Sequence, residues 1–88
     1  NFNMNDCFIK KYWKEEDILF YLHFHNKLVV RQIEVLSGET VCLTIESPIQ
    51  GEHLLCDKEL DDLSFEESDY ISEKEFNKVW SLQFIKNK

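Results

Sequence analysis

Between positions 18 and 25 the chain reads Ile-Leu-Phe-Tyr-Leu-His-Phe-His, and every even position is apolar: Ile18, Phe20, Leu22 and Phe24. Successive side chains of a strand point to opposite faces, so this octet predicts a strand with one unbroken apolar face. The odd face carries Tyr21, His23 and His25 and reads as the wetter one. The flanking segments fit the same pattern. Residues 7–13 alternate before the polar turn Lys14-Glu15-Glu16-Asp17, and Asn26-Lys27 separates the octet from the β-branched run 28–36. Ser37-Gly38-Glu39 supplies another turn, because glycine tolerates the positive φ that a hairpin needs, and residues 40–45 form a fourth apolar stretch. Connections this short make sequential strands antiparallel neighbours. Pro48 and Gly51 then close a strand region of about 6–46.

The second half changes period. From Ser72 the chain carries an S-x-x-E capping box with Glu75. Phe76, Val79, Trp80, Gln83 and Phe84 recur at helical spacing, predicting a helix over about 72–86 with one stripe against the sheet. Lys86 and Lys88 suit its C-terminal end. The expected fold is α+β: a four-stranded antiparallel meander, a C-terminal helix on one face, and an acidic loop or short helix over 52–70 between them. The cleaner alternation at Ile18, Phe20, Leu22 and Phe24 makes that face the expected seat of the helix. A chain of 88 residues supports one core, so 1–88 is read as a single domain, with Met4 as a natural start preceded by Asn1, Phe2 and Asn3.

Charge is unevenly spread. The formal net charge is -7, and residues 57–69 alone hold seven acids against Lys58. Such a surface repels a phosphate backbone, so direct nucleic-acid binding is disfavoured. No apolar run reaches the roughly 18 residues that span a bilayer. Three widely spaced cysteines, Cys7, Cys42 and Cys56, fit reduced thiols and a cytoplasmic location.

Rival chemistries find little footing. His23 and His25 share a strand face, a spacing that suits zinc, with Cys56, His53 or a carboxylate to complete a set; two histidines at i and i+2 are more commonly cross-strand partners. No nucleophile motif is present, Gly38 and Gly51 are too few for a phosphate loop, and residues 57–68 lack the central glycine of an EF-hand. No catalytic residue, metal ligand or cofactor is assigned. The acidic run is different, because its carboxylates are interleaved with Leu60, Leu63, Phe65 and Tyr70, which can pin them into a fixed array.

Val30-Arg31-Gln32-Ile33-Glu34-Val35, following the aromatic strand, and Ile71-Ser72-Glu73-Lys74-Glu75-Phe76-Asn77-Lys78-Val79-Trp80 carry a resemblance. The chain resembles a family of short bacterial proteins of unknown function with a V-R-x-(I/V)-E-(V/I) strand and an I-S-x-x-E-F-x-x-(V/L)-W helix. It departs from them where His23 and His25 replace the usual acids, and in a shorter, more acidic middle. By type it is similar to immunity proteins of bacterial toxin systems such as contact-dependent growth inhibition. The expected partner is therefore a cognate toxin, a basic nuclease domain. It would be met by Asp57, Glu59, Asp61, Asp62, Glu66, Glu67 and Asp69, with Tyr70 or Trp13 as an apolar anchor. Two alternatives belong to other classes: a small metal-dependent or acid–base enzyme built on His23, His25 and Arg31, and an oligomerisation or scaffold module.

Overall fold

A computed structural model describes residues 5–85. The expectations for Met4, Lys86 and Lys88 lie outside them. The four long strands form where the alternation places them: β1 (Asp6–Trp13), β2 (Ile18–His25), β3 (Leu28–Leu36) and β4 (Glu39–Thr44). They pair in sequence order and antiparallel throughout. A two-residue hairpin, β5 (Ile49–Gln50) with β6 (His53–Leu54), follows across Gly51 at φ +61°. Two short 3-10 turns, Leu60–Asp62 and Glu67–Asp69, lead into β7 (Tyr70–Ile71) and the helix α1 (Glu73–Ile85). The fold is α+β as expected. The sheet has five strands rather than four, in the order β4-β3-β2-β1-β7, because Tyr70 and Ile71 pair with Ile9 and Phe8.

The helix sits on the face opposite to the one expected. Phe76, fully buried, packs with Phe8, Tyr21 and Ile33, and Leu19, Val35, Val79 and Trp80 surround them. The odd face of β2 is therefore not wet, and Tyr21 and His23 lie beneath α1. The even face, with Leu22 and Phe24 beside Ile9 and Val29, is roofed by Leu55, Leu60, Leu63 and Phe65 of the acidic connection. Both faces are apolar enough to need a cover, and the chain supplies two different ones. Each fully buried side chain among Ile9, Phe24, Ile33, Leu43 and Phe76 contributes about 1.5–3 kcal/mol relative to exposure, so neither half-core is dispensable.

One irregularity decides what faces where. Arg31 pairs with His23 but Val29 pairs with Phe24, so Val30 is an extra residue at a bulge. The slip turns Val29 into the even-face core while Arg31 stays on the helix face. At the tip of the same hairpin Asn26 and Lys27 adopt φ of +52° and +71°, the left-handed pair of a tight turn. This tip receives the acidic connection: Leu60 N–H donates to the Lys27 carbonyl at 2.9 Å, and Lys27 Nζ donates to Asp61 at 2.8 Å.

Candidate functional site

The acidic connection is a fixed apron. Its apolar residues Leu55, Leu60, Leu63 and Phe65 turn in to the sheet, Phe65 meeting Phe24 edge-on at 6.2 Å, while Asp57, Glu59, Asp61, Asp62, Glu66 and Glu67 are exposed. The second 3-10 turn is closed by Asp69, whose Oδ2 accepts from the Glu66 amide at 2.9 Å and from Lys11 Nζ at 3.1 Å. That backbone hydrogen bond, helped by Lys11, holds the Asp69 carboxyl below the usual carboxylate range.

The seven expected contact acids thus divide. Asp69 is half-buried and serves the turn, and Asp61 is held by Lys27, whose ammonium pKa the bond to Asp61 raises. Asp57, Glu59, Asp62, Glu66 and Glu67 form no ion pair among the described residues, although the Glu59 charge also helps to raise the Lys27 pKa. Tyr70 is exposed on β7, and Trp13 is exposed at the end of β1.

Of the two strand histidines His23 meets Arg31, beneath the helix rather than in an open site, while His25 is exposed and binds Asp6. Arg31 Nε donates to His23 Nδ1 at 3.0 Å, and its Nη2 donates to Asn77 Oδ1 of α1 at 2.9 Å. The guanidinium also lies over Phe76 at 4.7 Å and Trp80 at 5.1 Å. His23 stacks on Phe8 at 4.4 Å and meets Phe76 edge-on. Its Nδ1 accepts, so the ring is neutral with the proton on Nε2. Nε2 reaches no closer to Asp6 Oδ1 than 3.6 Å, is shut from solvent, and has no hydrogen-bond partner among the described residues. Burial, then the Arg31 charge, lower the His23 pKa. Asp6 binds the exposed His25 Nδ1 at 2.6 Å, which lowers the Asp6 pKa.

His53 lies elsewhere. Its Nδ1 is 2.8 Å from Glu34 Oε1, on the even face. Glu34, 4% exposed, accepts from Gln32 Nε2 at 2.7 Å, and Gln32 also donates to the Leu54 carbonyl at 3.1 Å and accepts from the Cys56 amide at 2.8 Å. This buried network fastens the hairpin and the start of the apron to β3. Among the described residues no group of three or more His, Cys, Asp and Glu side chains could hold a metal ion, so the proposed set of His23, His25, Cys56 or His53 is not assembled. The three cysteines are half-buried free thiols, and burial pushes the Cys42 pKa up, as suits a filler.

Sequence reasoning missed Asp6, Asn77, Gln32 and Glu34. A signal existed for the last two: their period places both on the face of Leu22, where a polar side chain must find partners. A cavity of about 660 Å³ runs between β4 and the end of α1, with Trp80 and Phe84 on one side. Its strand edge is largely closed, because Gln50 Nε2 donates to the Cys42 carbonyl and Thr44 exchanges backbone bonds with Ser47. No described helix is long and apolar enough to cross a membrane. No family model, curated protein or solved structure matches the chain.

Proposed function

We propose that the protein is an inhibitor of the immunity type, which binds a cognate bacterial toxin in the cytoplasm and covers the basic cleft of its nuclease domain with the acidic apron. The observation that carries this reading is the anchored presentation of five exposed carboxylates that enter no ion pair among the described residues, Asp57, Glu59, Asp62, Glu66 and Glu67. Solubility alone is served by interspersed charge, whereas segregated and anchored charge suits a complementary surface. An array pinned by Leu60, Leu63 and Phe65 loses little conformational freedom on binding, which favours affinity. Its field steers a basic partner, so charge should act first on the association rate.

The test is association with the toxin domain encoded beside its gene, followed by stopped flow at low and high salt. Reversing Asp62 and Glu67 to lysine should slow association by about 10- to 100-fold at low salt and flatten its salt dependence. Unchanged rates remove the apron from the interface. Asp61→Lys, Asp69→Lys and Glu66→Lys are poorer probes, since the first two break contacts with Lys27 and Lys11 and the third opens the capping box of the second 3-10 turn.

A further inference from the structure

Where the acidic apron crosses the β1–β2 hairpin it does not close fully on the sheet, and a cavity of about 310 Å³ remains. Phe20, Leu22, Leu63 and Phe65 line it, and Trp13, 45% exposed, stands at its side with its ring edge-on to Phe20 at 6.4 Å. An exposed tryptophan beside an apolar hollow is the arrangement in which interface anchors concentrate, because a side chain seated there is fully desolvated. The surrounding charge identifies what brings such a side chain. Lining residues Cys56, Leu63 and Phe65 are chain neighbours of the exposed Asp57, Asp62 and Glu66, which enter no ion pair among the described residues. Two lysines and Glu16 also line the cavity; Lys11 is held by Asp69 at 3.1 Å, which leaves Lys58 against Glu16 and the neighbouring exposed carboxylates. A lipophilic anion therefore meets a net negative rim.

We infer that this hollow is a socket for one large apolar side chain, aromatic or aliphatic, that the basic partner presents between cationic residues. The inference rests on the proposed role of the apron and adds to it the partner's anchor. Charge on the apron sets the rate of encounter, and the socket sets the lifetime of the complex.

The test uses two end-blocked pentapeptides, one tryptophan between pairs of lysines and the same peptide with alanine, titrated into the isotopically labelled protein by NMR. Burying the indole should make the tryptophan peptide bind at least about tenfold more tightly. Its shifts should centre on Phe20, Leu22 and Phe65, and both peptides should weaken at high salt. Ser64→Trp, at an exposed lining position, should fill the socket and abolish the tryptophan preference while leaving the salt-dependent binding of both peptides. Equal affinities, shifts centred elsewhere, or a preference that survives Ser64→Trp overturn the socket and leave the apron's role standing. Tighter binding of decanoate at the same residues overturns the cationic anchor in favour of an anion. Absence of salt-dependent binding by either peptide overturns the socket and the apron together.

Discussion

Two buried polar groupings fix side chains that composition alone would assign to the surface. Gln32, 2% exposed, satisfies three neighbours at once, and Arg31 spans from His23 of β2 to Asn77 of α1. The Arg31 contact requires a neutral His23, because protonated Nδ1 would become a donor facing the Arg31 donor. The charged groups around the ring are Asp6 on β1, Arg31 on β3 and Glu73 on α1, and burial outweighs the two carboxylates. With the folded pKa below the ordinary 6.5, the unfolded chain takes up the proton first. Stability from this group is therefore fully present above about pH 6.5 and is lost as pH falls from there through the folded pKa. Urea unfolding between pH 7 and 5 should show that loss, and His23→Gln, which keeps an acceptor for Arg31, should flatten it. A slope unchanged in His23→Gln places the titration elsewhere. Asp6, its pKa lowered chiefly by His25, adds a separate loss only below about pH 3.8.

Among the elements, α1 depends most on its start. Ser72 Oγ accepts from the Glu75 amide at 3.0 Å, as the S-x-x-E spacing predicts, and Glu73 and Glu75 sit in the first turn. Ser72→Ala should cost about 1 kcal/mol, read as a lower urea midpoint with an unchanged slope; a loss indistinguishable from zero would deny the cap its role. The cap and the strands were legible because each has a local signature, a fixed spacing for one and a period of two for the others. The seat of the helix was not legible, because β2 is apolar on both faces once His23 is counted as a stacked ring. The alternation at Ile18, Phe20, Leu22 and Phe24 identifies a buried face but not what buries it, and the irregularly spaced Leu60, Leu63 and Phe65 cover that face without any helix. β7 escaped notice because a two-residue strand has no period, and the bulge at Val30 because nothing local marks it. At the candidate site the clustering of acids and their apolar anchors could be read from the chain. The diversion of Asp61 and Asp69 into internal contacts could not, since Lys27 and Lys11 lie far away in sequence.

At the scale of the molecule, the apron is in conflict with itself. It holds seven acids and one lysine within thirteen residues, and five of the acids enter no ion pair among the described residues that would offset their mutual repulsion. Repulsion of this kind destabilises a compact state and is screened by salt. If a partner supplies the missing positive charge, stability and binding should move in opposite directions when the charge is removed. Asp62→Asn with Glu67→Gln preserves shape and exposure while deleting two charges, and it leaves the Lys27 and Lys11 contacts intact. This variant should unfold at a higher urea concentration than the parent at low salt, with the difference closing at high salt. The same two changes should slow association with a basic partner and reduce its salt dependence. A variant that is less stable at low salt would mean that the carboxylates serve the fold, with the apron serving as a roof over Phe24 and Leu22. A more stable variant with unaltered association would mean that the charge serves neither. Only the opposed pair of effects, gain in stability and loss in encounter rate, assigns the segregated charge to a surface whose complement lies on another molecule.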